Sequence, residues 1–421
     1  MARLEITGGW TLRGQVRISG AKNATLPMLA AALLTGEECA LVDAPRLRDT
    51  AVMEAILTSL GVAVHSETDG EGRRVLVARA GSLEAWHVPE RLVGEMRSSI
   101  FIMGPLLGRL RRARISYPGG CAIGPRPIDM HLRGLTQLGA VIRERGGYIE
   151  AETPGLVGAE IHLDFPSVGA TENLMMAAVL ARGTTVIHNT AKEPEIVDLQ
   201  NFLNKLGARI RGGGTDAIRV DGVASLGGGE HTVIPDRIEA GTYLAAVGAA
   251  RGEARLENVI PEHLDAVLSK FGEAGLQIHR EADALSVQCG RRLEATDFKT
   301  LPYPGYPTDL QPQATVLACT ARGISMITDT IFPSRFTQVQ ELRRMGADIR
   351  LEGRTAVVTG VRRLSGATVS ASDLRSGAAL VLAGLAAEGT TVVEGIHHVD
   401  RGYEEIESKL AALGAVIQRL E

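Results

Sequence analysis

A short phrase that recurs six times constrains the fold of this chain more than any other feature of its sequence. Each copy has an apolar residue or Ala, a Gly, two further residues and then Val or Ile, as in Leu206-Gly207-Ala208-Arg209-Ile210. The phrase glycines stand at positions 61, 139, 207, 275, 346 and 414, with steps of 78, 68, 68, 71 and 68 residues. This spacing predicts six units of about 70 residues that fill the chain.

Each phrase is typical of the end of an amphipathic helix, a Gly C-cap and the start of a strand. Other segments, such as 26–34 and 378–387, consist almost entirely of Ala, Leu, Val and Gly. Because a helix that is apolar on every side must be buried, these segments predict an α/β fold with helices inside and sheets outside. We expect two groups of three units. A continuous solenoid is the alternative, which the long unit and the buried helices disfavour.

Composition excludes several classes of protein. The net charge is −4 and no basic run occurs, which argues against nucleic acid as a partner. No stretch has the length of a membrane span, and the first five residues contain no apolar signal-peptide core. The four Cys residues are far apart and form no CxxC motif, as expected in a reducing cytoplasm. A soluble, cytoplasmic protein is therefore predicted.

The second unit contains an insertion. The distance from the Gly that leads the strand to the phrase Gly is 23 to 25 residues in the other units, but Gly108 and Gly139 are 31 apart. The extra residues include Pro118-Gly119-Gly120-Cys121-Ala122-Ile123-Gly124-Pro125-Arg126-Pro127. An irregular loop on a regular scaffold is a common position for function. Cys121 is the candidate, since a nearby cation such as Arg126 would lower the pKa of its thiol.

The other three cysteines, Cys39, Cys289 and Cys319, lie within strand or helix patterns and are interpreted as packing residues. His397 and His398 are adjacent on an expected strand and would point in opposite directions. No group of Cys, His and carboxylate residues has the spacing of a metal site, and neither a GxGxxG nor a Walker A motif is present. No metal and no cofactor is predicted.

Charged residues recur where the buried helices begin. Lys22, beside Asn23, comes before the first such helix, where it would either bind an anion with the helix N-terminus or be solvated. Equivalent positions, or nearby loops, hold Arg97, Asp309, Arg335, Asp373, Arg375 and Arg401. If the two groups of units face each other, these side chains would converge on one cleft. The ligand would then be a small molecule with several negative charges.

Seven segments together resemble the UDP-N-acetylglucosamine 1-carboxyvinyltransferase family. Besides 118–127, they are Gly20-Ala21-Lys22-Asn23-Ala24, Ser167-Val168-Gly169-Ala170-Thr171, Glu193-Pro194-Glu195-Ile196-Val197-Asp198, Pro307-Thr308-Asp309, Asp373-Leu374-Arg375 and Asp400-Arg401-Gly402-Tyr403. The resemblance covers essentially the whole chain in the right order. It implies two inside-out α/β barrels, each of three βαβαββ units. Residues 22–234 would form the first barrel, with a catalytic loop at about 115–128, and 1–21 with 235–421 the second.

The resemblance also implies the reaction. The enolpyruvyl group of phosphoenolpyruvate would pass to the 3′-hydroxyl of UDP-N-acetylglucosamine, with release of phosphate, through a tetrahedral ketal. This is the first committed step of peptidoglycan synthesis, and so serves cell-wall biogenesis, cell shape and cell division. No cofactor, nucleic acid or membrane partner is implied, and a monomer or weak homo-oligomer is expected.

Site residues follow from the same resemblance. Cys121 would protonate the methylene carbon, and Asp309 would act on the 3′-hydroxyl as base or orienting group. Lys22, Arg126 and Arg401 would hold phosphate and carboxylate. Further substrate contacts are implied for Asn23, Arg97, Pro127, Ile128, Asp129, Met130, Phe165, Pro166, Ser167, Val168, Gly169, Ile331, Arg335, Asp373 and Arg375.

One position departs from the family pattern. Some relatives carry Lys where Phe165 stands, so diphosphate binding here would depend more on the backbone N–H groups of residues 167–169. Two alternatives are less favoured. A 5-enolpyruvylshikimate-3-phosphate synthase would share fold and chemistry, but it lacks the Cys121 loop and the Ser167-Val168-Gly169-Ala170 stretch. A catalytically silent paralogue would be free to lose Cys121, Lys22, Asp309 and Arg401, so the presence of all four argues against it.

Overall fold

The computed structural model describes residues 2–119 and 128–421. In chain order the strands are β1 (Arg3–Thr7), β2 (Arg13–Arg17), β3 (Glu38–Val42), β4 (Ala63–Thr68), β5 (Arg74–Arg79), β6 (Arg112–Ser116), β7 (Val141–Arg145), β8 (Tyr148–Glu152), β9 (Glu160–His162), β10 (Thr184–His188), β11 (Ile210–Arg211), β12 (Ala217–Asp221), β13 (Gly229–Thr232), β14 (Glu253–Glu257), β15 (Gln277–Arg280), β16 (Ala284–Gln288), β17 (Phe298–Lys299), β18 (Ile324–Thr328), β19 (Asp348–Glu352), β20 (Thr355–Thr359), β21 (Leu364–Ser365), β22 (Thr368–Ser370), β23 (Ala387–Glu388), β24 (Thr390–Glu394) and β25 (Val416–Leu420).

The α-helices are α1 (Lys22–Ala31), α2 (Arg48–Ser59), α3 (Glu90–Glu95), α4 (Met103–Leu110), α5 (Asp129–Gln137), α6 (Val168–Val179), α7 (Pro194–Lys205), α8 (Arg237–Ala250), α9 (Asp265–Ala274), α10 (Gln311–Thr320), α11 (Val339–Arg344), α12 (Leu374–Ala386) and α13 (Ile406–Ala412). Short 3-10 helices cover Ala32–Leu34, Arg97–Ile102, Pro261–Leu264, Thr308–Leu310 and Ile396–Arg401. Among the described residues, every helix is too short or too polar to cross a lipid bilayer.

The chain divides into two units. One consists of residues 20–119 and 128–234, and the other of residues 2–19 and 235–421. The N-terminal residues belong to the second unit because β1 pairs with β24 and β25, and β2 pairs with β14. We call them the central unit and the terminal unit.

The same strand pattern recurs in the sheets of both units. The central unit has the sheets β13-β3-β5-β4, β6-β8-β7 and β11-β12-β10-β9. The terminal unit has β15-β16-β14-β2, β17-β18-β20-β19 and β22-β24-β1-β25, besides the short pair β21-β23. In each four-stranded sheet one parallel pairing is followed by two antiparallel pairings, as in β9-β10, β10-β12 and β12-β11. The repeated topology matches the six units that the recurring phrase predicts.

Apolar helices form the core of each unit. In the terminal unit α8, α10 and α12 pack against one another, and every residue of α8 from Ile238 to Ala250 is buried. In the central unit α1, α4 and α6 have the same position, and α6 is buried from Ala170 to Val179. Helices inside and sheets outside are therefore confirmed, and a solenoid is excluded.

The phrase glycines end helices as predicted. All six have a positive φ, between 88° and 109°. A positive φ is strained for residues with a Cβ atom, so Gly is the residue that allows each helix to turn directly into the next strand.

One local expectation is wrong. His397 and His398 lie in the 3-10 helix that starts after Gly395, which has a φ of 71° and follows β24. Their rings are therefore neighbours, with centroids 4.1 Å apart. Arg97 opens the helical segment of its unit as expected, although this segment begins as a 3-10 helix and continues as α4 from Met103.

The C-cap role predicts opposite effects for two glycines of one helix. Gly275 caps α9 with a φ of 109°, whereas Gly272 lies inside α9 with no atom within 4 Å of an added Cβ. Gly275→Ala should lower the free energy of unfolding by about 1 kcal/mol through backbone strain. Gly272→Ala should leave it unchanged or raise it by up to about 1 kcal/mol. Urea unfolding of both variants tests this, and equal effects would contradict the C-cap interpretation.

Candidate active site

The structure places the sequence-predicted residues in two groups, one in each unit. The terminal unit holds Asp309, Ile331, Arg335, Asp373, Arg375 and Arg401, and the central unit holds Lys22, Asn23, Arg97, 128–130 and 165–169. Cys121, Arg126 and Pro127 lie outside the described residues.

Asp309 lies between two guanidinium groups. It belongs to the 3-10 helix that leads into α10, and its Oδ1 accepts a hydrogen bond from Arg335 Nη1 at 2.7 Å. Its Oδ2 accepts from Arg375 Nε at 3.1 Å and from Arg375 Nη2 at 2.9 Å. Both arginine side chains are buried, whereas 26% of the Asp309 side chain is exposed.

This arrangement fixes the ionisation of Asp309. Burial alone would raise the pKa of its carboxyl, but the positive charges of Arg335 and Arg375 hold the pKa well below its usual range. Asp309 is therefore an anion at neutral pH, and a carboxylate with so low a pKa is a weak base.

Asp329 holds this group together, and sequence analysis missed it. Its buried carboxylate accepts hydrogen bonds from the hydroxyls of Thr300 and Thr308, and from the backbone N–H groups of Ile331 and Phe332. Thr308 is the neighbour of Asp309, so Asp329 links the segment that carries Asp309 to the segment that carries Ile331. An Asp directly after β18 is the only sequence signal, and it resembles an ordinary turn residue.

Asp373 is the N-cap residue of α12. Its Oδ1 accepts from the backbone N–H groups of Arg375 and Ser376, both at 3.0 Å, and its Oδ2 accepts from the hydroxyl of Thr337 at 2.6 Å. These bonds satisfy N–H groups at the start of α12 and fix the backbone from which Arg375 extends. Asp373 thus positions Arg375 in addition to any contact of its own.

One donor in this group is unpaired. Arg335 Nε is buried and has no hydrogen-bond partner among the residues that the structure describes. Buried polar groups without a partner are rare, and they are often found where a ligand binds.

Lys22 is buried in the central unit as the first residue of α1. Its Nζ lies 3.0 Å from Oδ2 of Asp49, the second residue of α2, which is also buried. The solvated alternative for Lys22 is therefore wrong. Asp49 is a further candidate that sequence analysis missed, because nothing in the sequence relates it to α1.

Two helix starts lie side by side in the same unit. Arg133 of α5 contacts Asp129, the first residue of α5, at 2.9 Å, and Asp164, just before α6, at 2.5 Å. Deeper in, His131 Nδ1 lies 3.1 Å from Asn173 Nδ2 of α6. Segments 128–130 and 165–169 are therefore neighbours, as a shared ligand would require.

Ser167 caps α6 by accepting a hydrogen bond from the N–H of Ala170 at 3.3 Å. Val168 and Gly169, the first residues of the helix, are half-buried, and Phe165 has 42% of its surface exposed.

The remaining predicted residues have less specific surroundings. Arg97 Nη1 donates to the carbonyl of Pro118 at 3.3 Å, at the base of the inserted loop. Asn23, Ile331 and Arg401 are half-buried, and Arg401 ends the 3-10 helix Ile396–Arg401.

The three other cysteines are packing residues, as predicted. Cys39, Cys289 and Cys319 are buried. Burial raises the pKa of the Cys39 and Cys319 thiols to about 12, and it also raises the pKa of Cys289. Their thiols are therefore neutral and unreactive at neutral pH.

Comparison with known proteins agrees with this architecture. The structure superimposes on the enolpyruvyl transferase NikO from Streptomyces tendae with a TM-score of 0.89 and 25% sequence identity, covering 99% of this chain and 98% of that one. An EPSP synthase from Acinetobacter baumannii shares the fold, with a TM-score of 0.75, 16% identity and full coverage of both chains. The fold is that of the enolpyruvyl transferases.

The sequence comparisons are more specific. Residues 6–410 match the family described as EPSP synthase (3-phosphoshikimate 1-carboxyvinyltransferase). UDP-N-acetylglucosamine 1-carboxyvinyltransferase 1 of Symbiobacterium thermophilum is 61% identical over 99% of this chain and 95% of its own length. UDP-N-acetylglucosamine 1-carboxyvinyltransferase 2 of Carboxydothermus hydrogenoformans is 54% identical over the full length of both. The chain therefore belongs to the EPSP synthase family of transferases, in the branch of the UDP-N-acetylglucosamine 1-carboxyvinyltransferases.

The ionised Asp309 predicts a pH-dependent effect on stability. Asp309→Asn leaves two buried guanidinium groups without their carboxylate, which should cost about 3 kcal/mol in free energy of unfolding near neutral pH. A carboxyl whose folded pKa is lowered stabilises above its unfolded pKa of about 3.9 and loses that contribution as the pH falls. The difference from the wild type should therefore be constant from about pH 5 to pH 8 and shrink below about pH 4. Urea unfolding across this range measures it.

Asp348→Asn is the control, since Asp348 is exposed on β19. Its effect should stay below about 0.5 kcal/mol throughout. A destabilisation by Asp309→Asn that grows toward pH 3 would contradict the ion-pair interpretation.

Proposed function

We propose that this chain transfers the enolpyruvyl group of phosphoenolpyruvate to the 3′-hydroxyl of UDP-N-acetylglucosamine, with release of phosphate. The observation that carries the proposal is the 61% identity, over nearly the full length, to a relative that bears the name of this activity. The reaction is the first committed step of peptidoglycan synthesis. The cytoplasm is the proposed location, where both substrates are available, and the proposed state is a monomer or weak homo-oligomer.

The reaction is an addition followed by an elimination. The 3′-oxygen forms a bond to C2 of phosphoenolpyruvate and loses its proton to solvent, while C3 takes up the proton of the Cys121 thiol and becomes a methyl group. That methyl group then returns a proton to the Cys121 thiolate as the bond from C2 to the phosphate oxygen breaks, which restores the double bond, and the released phosphate takes up a proton from solvent. Atoms and charges balance without a redox step or a cofactor.

Asp309 orients the 3′-hydroxyl in this proposal. Its pKa is held well below its usual range despite burial, because Arg335 and Arg375 stabilise the anion, so it is poorly suited to remove a proton in the ground state. Oδ1 accepts one hydrogen bond, from Arg335, and can accept a second, and 26% of the side chain remains exposed for it. The two arginines fix the direction of that acceptor, which favours the orienting role over the role of base.

The positively charged side chains are assigned to the anionic groups of the substrates. We assign phosphate and carboxylate to Lys22, Arg126 and Arg401, because charge-assisted hydrogen bonds stabilise the charge that moves to the leaving phosphate. Asp49 takes one of the three Nζ donors of Lys22 and holds its side chain in place. Arg97 lies next to the inserted loop through Pro118 and is assigned to the same anions.

The neighbouring N-terminal ends of α5 and α6 suit the binding of the uridine diphosphate group. The N–H groups at the start of a helix, together with the helix dipole, bind anionic oxygens. Ser167, Val168 and Gly169 offer such groups at the start of α6, and segment 128–130 lies beside them through Arg133. Since Phe165 has no charge, the backbone of 167–169 is the proposed diphosphate contact.

The substrate assignment predicts the outcome of a phosphate-release assay. Phosphate should appear only when phosphoenolpyruvate and UDP-N-acetylglucosamine are both present, at a rate that depends on each. Release with shikimate 3-phosphate in place of the nucleotide sugar would assign the chain to the other branch of its family. No release with either acceptor would identify a catalytically silent paralogue.

The thiol assignment predicts a change in both turnover and labelling. Cys121→Ser should lower kcat by at least about 100-fold, since a serine hydroxyl is a much weaker acid and general acid catalysis contributes this much. Iodoacetamide should label one thiol of the native wild type and none of native Cys121→Ser, because the three other thiols are buried. Intact mass measures the labels, and all four thiols of the wild type should react in denaturant. Labelling of the native variant would contradict the assignment.

A further inference from the structure

Two histidines and a glutamate form a cluster that contains none of the residues assigned to the reaction. Glu160 and His162 are two residues apart on β9, and His188 on the neighbouring strand β10 is directly opposite His162 in the parallel register. In the described part of the chain, this is the one group of His, Cys and carboxylate residues whose ligand atoms could share a metal ion.

All three side chains project from the outer face of the sheet. Ile161 and Ile187 alternate with them and are buried, with at most 1% of their surface exposed. Because side chains of a strand alternate between its faces, Glu160, His162 and His188 share the opposite, outer face. β9 is the edge strand of its sheet, and Glu160 and His162 are exposed, so an ion can reach the cluster from solvent.

The three side chains lie close together. Glu160 Oε1 lies 2.9 Å from His188 Nε2, and the rings of His162 and His188 stack with centroids 4.3 Å apart and planes at 11°. The three ligand atoms lie within 4.8 Å of one another. Around a tetrahedral Zn²⁺, with bonds of about 2.0–2.1 Å, ligand atoms are separated by roughly 3.4 Å. To bind one ion, the two rings would rotate out of their stacked arrangement, so that a nitrogen of each points to the same position.

We propose that Glu160, His162 and His188 bind a divalent cation of borderline softness, of which Zn²⁺ is the main candidate. One carboxylate and two imidazoles are a typical ligand set for Zn²⁺, and three protein ligands leave a coordination position for water. On binding, the ion takes the place of the hydrogen bond between His188 Nε2 and Glu160 Oε1.

Two arginines lie on the same sheet as the cluster. Arg219 of β12 is opposite Val186, which lies on the same face of β10 as His188 and two residues before it. Arg219 pairs with Asp221 at 2.9 Å, so its positive charge is balanced locally, and Arg211, opposite Arg219 on β11, is two strands away from β10.

A bound ion would stabilise an edge strand that has few paired residues. β9 has three paired residues, all with β10, and leads within five residues to Ser167, the cap of α6. An ion that joins β9 to β10 would stabilise the central unit and restrain the segment that we assign to the diphosphate.

Calorimetric titration of the full-length, chelator-treated protein with ZnCl₂ tests the proposal. The wild type should bind one ion with micromolar affinity that the double variant His162→Ala/His188→Ala loses. Glu160→Gln keeps the shape of the side chain and should weaken binding by about tenfold. With Cu²⁺ as probe, the electron paramagnetic resonance spectrum should show coupling to nitrogen in the wild type that is lost in the double variant.

The matched control is His65→Ala/His279→Ala, which removes two exposed histidines from β4 and β15 that belong to no such group among the described residues. It should bind Zn²⁺ as the wild type does. All variants retain Cys121, so any binding by that thiol cancels in the comparison, and melting curves without metal verify that each variant folds. Equal affinity and stoichiometry in the wild type and in the His162/His188 variant would overturn the proposal. The readout is binding, so this result is independent of the phosphate-release assay.

Discussion

The central helices of each unit are apolar on every side, and this constrains where polar groups can be placed. Sheets cover the flanks of these helices, so their ends are the places where charged side chains can reach solvent or a ligand. The first N–H groups of a helix also need partners. Ser167, Asp236 and Asp373 supply them for α6, α8 and α12. The concentration of candidate site residues at helix starts therefore follows from how the core is built.

The features that could be predicted from the sequence are local ones. A Gly that must adopt a positive φ at a helix end is visible as a repeated phrase, and a helix without a polar face is visible in its composition. Both are properties of a few consecutive residues, so the six units and the enclosed helices could be inferred without knowledge of any tertiary contact. Recognition of the site residues depended instead on resemblance to a family.

The partners of those residues could not be predicted, because they depend on packing. Arg375 is 66 residues from Asp309, and Asp49 is 27 residues from Lys22. A repeat shows that positions are equivalent but not how far each helix is rotated toward its neighbours. The Glu160 cluster could not be predicted for the same reason, since His162 and His188 are neighbours only because β9 and β10 pair in parallel in that register. A search for ligands close together in sequence cannot find such a site.

The electrostatics of the Asp309 group indicate which part of a substrate it suits. Arg335 and Arg375 carry two positive charges, but Asp309 and Asp373 lie close by and carry two negative charges, and the positive charge of Arg335 helps to lower the pKa of Asp373, against the effect of burial. With the nearby carboxylate of Asp329 the group has no excess of positive charge, and what it offers is geometry: a fixed carboxylate acceptor and a buried donor, Arg335 Nε, that has no partner among the described residues. A phosphate would gain little from such a group, whereas a hydroxyl, which both donates and accepts, matches it. This favours the sugar hydroxyl as the ligand of Asp309 and leaves the phosphates to Lys22, Arg126 and Arg401 and to the start of α6.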